Sequence, residues 1–169
     1  CGRTGVPAYL LPLVTHARQH PSTSLPVPDY SWMGWGTHTL PWCQLSHAMA
    51  AAGRHTPWVS RRDRAYFSGG LRTGSSRVKL RHVATHSQDA RRFQTFELRD
   101  VAPLFHTAKW ITAHSGRYVA FSPPEVACGY RYLLSVPGYG YSNRLKSLLL
   151  CGSVVLHLRT NWNEWFMPL

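Results

Sequence analysis

"YRYLLSVPGYGYSNRLKSLLLCGSVVLHL" (130–158) is the stretch that decides the fold. Its aromatic and apolar start predicts a strand over 130–136, which a turn rich in glycine and tyrosine follows. The next run predicts a helix over 142–150, and the Cys-Gly that breaks it leads into a second predicted strand over 153–158. A strand, a turn, a helix and a strand in this order are typical of an α/β unit of the nucleotide-binding kind.

The segments that precede this unit are less regular. Residues 1–30 contain five prolines and predict an extended connection with short ordered pieces. The segment 28–42, dense in Trp, Gly and Pro, predicts a rigid packed loop. The other predicted elements are a helix over 43–52 that Gly53 stops, a strand over 65–67, a helix over 77–86 and a helix start at 122–125.

The chain is strongly basic. Its 169 residues carry a formal net charge of +12, and 16 of the 19 Lys and Arg residues are Arg. This balance favours anionic partners such as nucleic acid or phosphate-bearing ligands, although an Arg-rich composition also follows from GC-rich coding. No run of about 18 apolar residues predicts a transmembrane helix, and no signal peptide is visible. The sequence has no CxxC pair and no HExxH motif, so it predicts no metal site.

Arg144 lies where the glycine-rich turn meets the predicted helix. The preceding strand ends at this turn, which is the position at which open α/β sheets bind ligands. A cation in the first turn of a helix is mildly disfavoured by the helix dipole unless an anion lies nearby, and Ser142 or Asn143 could act as the N-cap. One interpretation is a phosphate clamp formed by Arg144 and the first helical amides, and the other is an exposed surface arginine.

A second candidate for phosphate binding is the loop of small residues over 68–76, which Arg72 and Arg77 flank. It lies between a predicted strand and a predicted helix, an arrangement that can present backbone N–H groups to a phosphate. The loop matches neither the Walker pattern nor GxGxxG. From composition alone, a solvated basic loop is therefore the favoured interpretation.

Glu164 and the cysteines each leave two interpretations open. Glu164, one of seven acidic residues, is either a carboxylate that accepts hydrogen bonds from sugar hydroxyls or a helix-start carboxylate near the positive end of a dipole. Cys128 and Cys151 bracket the predicted strand, turn and helix. They form either a disulfide that ties the ends of this unit together or two buried free thiols.

Three blocks, in a fixed order, carry a family resemblance. They are "PDYSWMGWGTHTLPW" (28–42), "RRDRAYFSGGLRTGSSR" (61–77) and "CGYRYLLSVPGYGYSNRLKSLLLCGSVVLHL" (128–158), with "NEWF" beyond the last. The third block is the most specific, because it is similar to a Cys-x-Tyr-Lys-Tyr strand, a Ser-x-Arg-x-Lys helix and a Leu-Cys-Gly-Ser-x-Val strand. Together the blocks resemble the glycosyltransferase family 90 domain of animal protein O-glucosyltransferases and fungal capsule-associated xylosyltransferase-like proteins, over roughly residues 22–169.

The resemblance implies a GT-B fold, in which two Rossmann-like lobes flank the active site, and this chain supplies mainly part of the C-terminal lobe. It implies an inverting transfer of glucose or xylose from a UDP-sugar to a protein serine or a glycan hydroxyl, without a metal or a further cofactor. It also implies a disulfide and a place in the endoplasmic reticulum or Golgi lumen. The residues that match the family's donor-binding and disulfide positions are Arg144, Ser142, Arg72, Thr73, Gly69 and Glu164, and the pair Cys128 and Cys151.

Departures from the family pattern define the alternatives. The family's proposed catalytic Asp lies upstream of the tryptophan segment, so no residue here is assigned as the catalytic base, and we expect this chain alone to be inactive. We divide it into a proline-rich connecting segment (1–27) from an N-terminal lobe and an incomplete family domain (28–169). Because Ser68 stands where the family usually has Arg or Lys, an inactive family member is one alternative. A basic nucleic-acid-binding module is the other.

Overall fold

The computed structural model describes residues 14–19, 24–34, 40–92, 94–101 and 122–167. Short 3-10 helices occupy Trp58–Ser60, Pro124–Gly129 and Leu149–Cys151. The strands and α-helices in chain order are β1 (Val14–Thr15), β2 (Ala17–Gln19), β3 (Leu25–Pro26), α1 (Tyr30–Met33), α2 (Trp42–His55), β4 (Arg62–Gly69), α3 (Ser75–His86), α4 (Gln88–Arg92), β5 (Phe96–Asp100), β6 (Tyr130–Ser135), α5 (Leu145–Leu148), β7 (Val154–His157) and β8 (Trp162–Glu164).

A four-stranded parallel sheet in the order β5-β4-β6-β7 forms the centre of the described structure. In β4, Ala65 pairs with Phe96 on one side and Tyr132 on the other, and in β6 Leu133 pairs with Val155. Neighbouring parallel strands need crossover connections. Helices α3 and α4 lie in the connection from β4 to β5, and α5 lies in the connection from β6 to β7. The predicted α/β unit with a parallel sheet is confirmed, while the two-lobed GT-B arrangement stays a prediction.

The main core lies between the sheet and helix α2. Met49 of α2, Tyr130 and Leu133 of β6, and the half-cystines Cys128 and Cys151 are at most 1% exposed. The two cysteines form a disulfide, the pairing that the family resemblance implied. It connects the residue two positions before β6 to the 3-10 helix that follows α5. Packing and the cross-link together hold both ends of the turn between β6 and α5.

Helix α2 is longer than the sequence predicted. Gly53 was expected to stop the helix, but α2 continues through it to His55. A Cβ at Gly53 would lie 2.7 Å from the carbonyl oxygen of Cys151, so the glycine permits the close approach of α2 to the 3-10 helix after α5. The helix ends instead at the extended residue Thr56, which precedes Pro57, because a proline disfavours the α conformation of the residue before it.

Two other predicted elements also differ in the structure. Residues 30–33 of the predicted packed loop form helix α1, since the Asp29 side chain accepts a hydrogen bond from the Ser31 amide and caps it. Residues 35–39 of the same loop lie outside the described residues. The predicted helix over 142–150 is a single α-helical turn, α5, followed by the 3-10 helix, and its N-cap is Arg144 without a side-chain capping bond. The prediction that Ser142 or Asn143 caps this helix is therefore wrong.

The loops that leave the carboxyl ends of β4 and β6 lie in contact. Gly74, directly before α3, has a φ of +90°, and a Cβ there would lie 2.3 Å from the Gly138 carbonyl oxygen. Only glycine combines this backbone conformation with this approach. The Arg77 Nε donates to the carbonyl of Val136 at 3.2 Å. The two loops therefore form one packed edge at the end of the sheet where the sequence predicted a ligand.

Two small sheets accompany the parallel sheet. β1 pairs with β3 in parallel, and β2 pairs antiparallel with β8, which places Ala17 opposite Glu164. β1, β2 and β3 are short ordered pieces within the proline-rich segment, whereas β8 comes from residues 162–164. The division of the chain at residue 27 stays a prediction, and residues 102–121, which the sequence left unassigned, lie outside the described residues.

Candidate functional site

A cavity of about 560 Å³ lies at the carboxyl ends of β4 and β6. Of the residues predicted to bind the donor, Gly69, Thr73 and Arg144 line it, whereas Arg72, Ser142 and Glu164 do not. Its remaining lining residues include Tyr30, Ser31, Phe67, Ser68, Arg77, Glu125, Asn143 and Lys146. The cavity is thus built where the first turn after each of two neighbouring parallel strands meets α5 and the segment of α1.

The guanidinium of Arg144 is packed inside this edge without an anionic partner among the described residues. Its Cζ lies 4.4 Å from the ring centroid of Phe67, and its Nη2 is buried and makes no hydrogen bond in the part of the chain that the structure describes. Burial, with a smaller contribution from the charge of Arg77, lowers the pKa of Arg144 to about 9. At neutral pH Arg144 is therefore still a cation, although its surroundings disfavour a positive charge. An anionic ligand beside it would raise its pKa again.

Arg77 lies against the same aromatic ring and completes an arginine pair with Arg144. Its Cζ is 5.4 Å from the Phe67 centroid, and its Nη1 donates to Thr73 Oγ1 at 2.7 Å. Burial lowers its pKa as well. The sequence favoured a solvated loop for this residue, and the structure corrects that interpretation, because Arg77 lines the cavity. The contact joins the first turn of α3 to Thr73 in the loop before it, and no local sequence pattern indicated this contact.

Two of the predicted donor-binding residues lie beside the cavity and not in it. Arg72 is exposed, and its Nε lies 3.6 Å from Asp100 Oδ2. The other carboxylate oxygen of Asp100 accepts a hydrogen bond from the Leu71 amide at 2.8 Å, so this pair braces the loop after β4. Ser142 is buried, and its Oγ has no hydrogen-bond partner among the described residues.

A group of charged and polar residues, which we call the Asp29 cluster, lies beside the cavity and shares Ser31 and Lys146 with its wall. It consists of Asp29, Ser31, Tyr141, Lys146 and Glu164. Lys146 Nζ is 3.7 Å from Asp29 Oδ1 and donates to Ser31 Oγ, and the Tyr141 hydroxyl donates to Asp29 Oδ2 at 2.7 Å. Burial alone would raise the pKa of Asp29, but the hydrogen bonds from Ser31 and Tyr141 and the charge of Lys146 lower it overall. The cluster ties the segment of α1 to the turn before α5.

Glu164 belongs to this cluster and not to the cavity lining. It lies on β8, so the interpretation as a helix-start carboxylate is wrong, and its role toward sugar hydroxyls stays a prediction. The residue is 3% exposed. Burial raises the pKa of its carboxyl to about 7, against the lowering effect of Lys146 and with a further raising effect of Asp29. Near neutral pH the protonated and the ionised forms of the Glu164 carboxyl are therefore both populated.

The described residues contain no group of three or more His, Cys, Asp or Glu side chains that could hold a metal ion. Within the same residues, no helix combines the length and the apolar character that crossing a membrane requires. The wall of the cavity presents the guanidinium groups of Arg77 and Arg144, the ammonium group of Lys146 and the carboxylate of Glu125. Two guanidinium groups around one cavity suit a phosphate or diphosphate group, which guanidinium planes bind in a bidentate manner.

Comparison with known proteins finds similar sequences among O-glucosyltransferases. The chain is 28% identical over 125 residues to O-glucosyltransferase rumi of Drosophila melanogaster, an alignment that covers 74% of this chain and 29% of that protein. It is 49% identical over 41 residues to Protein O-glucosyltransferase 1 of Mus musculus, which is 24% of this chain and 10% of that protein. The O-glucosyltransferase rumi homolog of Aedes aegypti is 44% identical over 44 residues, 26% of this chain and 11% of that protein. The chain thus spans less than a third of the length of these relatives.

The family-level match is far more extensive than these pairwise alignments. The model of the family described as Glycosyl transferase family 90 matches residues 3–169. This range contains the three sequence blocks, the arginine pair and the disulfide. Because the match extends over nearly the whole sequence, the chain belongs to glycosyl transferase family 90.

Proposed function

We propose that this chain is the donor-binding part of a glycosyltransferase that moves glucose or xylose from a UDP-sugar to the hydroxyl of a protein serine or a glycan. The observation that carries the proposal is the arginine pair, in which Arg144 Nη2 is buried without a partner among the described residues. The names of the relatives, O-glucosyltransferases, support glucose as the transferred sugar and a hydroxyl as the acceptor.

In this mechanism the arginine pair binds the diphosphate of the donor. As the bond between the sugar and the β-phosphate breaks, negative charge grows on the departing UDP, and guanidinium groups already positioned in a partly buried site stabilise that charge. The Phe67 ring beneath both Cζ atoms restricts where the guanidinium planes can lie. With this positive charge in place, the transfer needs no metal to neutralise the leaving group.

The acceptor hydroxyl needs a general base, and for an inverting transfer this base lies on the face of the sugar opposite the leaving group. We expect a carboxylate from outside this chain to supply it. Asp29 does not fill this role, because the residue is only 2% exposed and its carboxylate accepts hydrogen bonds from Ser31 and Tyr141. The chain therefore provides the half of the machinery that receives the leaving group.

Isothermal titration of the full-length protein with UDP tests the donor site. Loss of charge-assisted hydrogen bonds from Arg144→Ala should weaken UDP binding roughly 10- to 100-fold, in line with about 1.5–3 kcal/mol for bonds to charged groups. Arg64→Ala is the matched control, since it removes the same charge from an exposed arginine paired with Gln94 and Glu97. Equal UDP binding by the wild type and Arg144→Ala would overturn the proposal, and tight, salt-dependent binding of a polynucleotide would favour the nucleic-acid alternative.

A transfer assay separates an active enzyme from an inactive family member. The full-length protein is incubated with radiolabelled UDP-glucose or UDP-xylose and a serine-containing acceptor, and labelled product is counted. The alternative of an inactive member, motivated by Ser68 in the cavity wall, predicts UDP binding without product. The disulfide between Cys128 and Cys151 supports an oxidising, secretory-pathway setting, which immunolocalisation of the protein to the endoplasmic reticulum or Golgi would test.

A further inference from the structure

The cavity contains two buried polar atoms of opposite charge type that lack a hydrogen-bond partner among the described residues. One is Arg144 Nη2, which the proposed function uses, and the other is Glu125 Oε2. Both residues line the cavity. Buried polar atoms in proteins are nearly always paired, so an unpaired one at a cavity wall indicates that a ligand supplies its partner.

The partner of Glu125 is not one of the cations of the described cavity wall. Lys146 Nζ is engaged with Asp29 and Ser31, and Arg77 donates to the carbonyls of Val136 and Gly70 and to Thr73. No ion pair joins Glu125 to any described Lys, Arg or His. A carboxylate accepts hydrogen bonds and donates none, so the missing partner is a hydrogen-bond donor of the ligand.

Glu125 is also held in place more firmly than a surface glutamate. It follows Pro123 and Pro124, whose rings restrict the backbone, at the start of the 3-10 helix Pro124–Gly129. Ala127 and Cys128 of the same helix are 4% and 0% exposed, and Cys128 is linked to Cys151. A carboxylate held in this way loses little conformational entropy when a ligand binds to it.

A carboxylate beside an arginine pair has two opposite effects on an anionic ligand. By charge alone it repels a diphosphate and weakens binding. It strengthens binding only when the same ligand offers donors to it, and hydroxyl groups on adjacent carbons offer two O–H donors to the two oxygens of one carboxylate. A UDP-sugar combines a diphosphate with such adjacent hydroxyls on its ribose and on its transferred sugar.

We infer that Glu125 is a specificity residue of the donor site, which accepts hydrogen bonds from adjacent hydroxyls of the nucleotide sugar while the arginine pair holds the diphosphate. This inference rests on the proposed function. It assigns the cavity a second recognition point, for the uncharged hydroxyls of the ligand, and gives a role to an acidic residue in an otherwise basic site. The hydroxyls can be those of the ribose or those of the transferred sugar, and ligand analogues distinguish the two.

The experiment is isothermal titration of the full-length protein, as wild type, Glu125→Ala and Glu125→Gln, with pyrophosphate, UDP, 2′-deoxy-UDP and UDP-glucose. If Glu125 accepts from the ribose, Glu125→Ala weakens UDP binding roughly tenfold, the size expected for a hydrogen bond to a charged group. The same variant then changes 2′-deoxy-UDP binding less than about twofold. If it accepts from the transferred sugar, only UDP-glucose is weakened. In both cases pyrophosphate binds equally well or more tightly.

Other results would overturn the inference. If Glu125→Ala leaves all four affinities unchanged, the carboxylate does not contact the ligand, and if it tightens them, the carboxylate only repels the diphosphate. Equal weakening of UDP and 2′-deoxy-UDP, with no further loss for UDP-glucose, would show that the 2′-hydroxyl is not a partner, which excludes recognition of two adjacent hydroxyls. Glu125→Gln retains the size of the side chain and one acceptor oxygen, so it should show a smaller loss of the same pattern if the alanine variant does not fold.

Two further variants separate this inference from the proposed function. Asp63→Asn removes one negative charge from an exposed carboxylate paired with Arg131 and should leave all affinities unchanged. Arg144→Ala should weaken every ligand, pyrophosphate included. If Arg144→Ala has this effect and Glu125→Ala has none, the proposed function stands and the inference about Glu125 fails. If Arg144→Ala has no effect, the proposed function itself fails.

Discussion

Arg144 and Lys146 are two residues apart at the start of α5, yet the protein surrounds their charges in opposite ways. Lys146 lies 3.7 Å from a carboxylate oxygen of Asp29 and 4.9 Å above the ring of Trp32. Arg144 has Phe67 beneath it, Arg77 beside it and no carboxylate partner among the described residues. The comparison indicates that the Asp29 cluster serves the fold, since its charges are satisfied internally, whereas the arginine pair is completed by a ligand.

The strongest test of this contrast removes the structural cation. Lys146→Met leaves the Asp29 carboxylate buried without its cation, so we expect the free energy of unfolding to fall by about 3–5 kcal/mol. Urea denaturation of the full-length protein measures this change. The double variant Asp29→Asn with Lys146→Met removes both charges and should recover most of the loss. A loss below about 1 kcal/mol in the single variant would show that the pair contributes nothing to the fold.

Titration of Glu164 is expected to have the next largest effect. Its carboxyl has an ordinary pKa of 4.5 and a folded pKa of about 7. Between these values the folded state keeps a proton that the unfolded state has released, so the free energy of unfolding falls as the pH rises from about 4.5 to about 7. One group with this shift accounts for up to about 3 kcal/mol. Urea denaturation across this range should give a flatter pH profile for Glu164→Gln, and parallel profiles would contradict the prediction.

Arg61, which is buried, and Arg144, whose guanidinium packs against Phe67, form a matched pair with different surroundings. Arg61 donates to the carbonyls of Thr56 and Gly53 and to Ser153 Oγ, so Arg61→Met leaves several acceptors unpaired and should lower the free energy of unfolding by about 2–3 kcal/mol. Arg144→Met removes an unpaired cation and keeps an apolar contact with Phe67, so its effect should stay below about 1 kcal/mol. Equal losses by urea denaturation would show that Arg144 is a structural residue.

The smallest expected effect comes from moving Arg144 without removing it. A Cβ at Gly69 would lie 2.8 Å from Arg144 Nη1, which is the far end of a flexible side chain and can shift. The φ of +155° at Gly69 adds backbone strain for any residue with a side chain. We expect Gly69→Ala to weaken UDP binding roughly threefold to tenfold, as a misplaced hydrogen bond does. Gly129→Ala is the control, since a Cβ there meets no atom within 4 Å. Unchanged UDP affinity in Gly69→Ala would show that the position of Arg144 is not critical.

Local sequence patterns predicted much of the fold. Alternating aromatic and apolar residues predicted the strands on both sides of α5, and the glycine-rich turn between them predicted a ligand at the carboxyl edge. These features depend on neighbours along the chain, which is why the local pattern pointed to Arg144, whereas Gly69 and Thr73 were predicted from the family resemblance. All three line the cavity. Local patterns could not show that α2 continues through Gly53, where a Cβ would lie 2.7 Å from the carbonyl oxygen of Cys151, a residue far away in sequence.

What the sequence determined by itself was the α/β unit, the family and the arginine at the turn. Only the tertiary structure decided which charges are paired. The sequence does not distinguish Arg72 from Arg77, which flank the same loop. In the structure Arg72 pairs with Asp100, whereas Arg77 lies beside Arg144. Glu125 and Glu164 are both rare carboxylates, but one faces the cavity and the other faces Lys146. Pairing depends on distances of a few ångströms between segments distant in the chain, and local sequence patterns contain no measure of those distances.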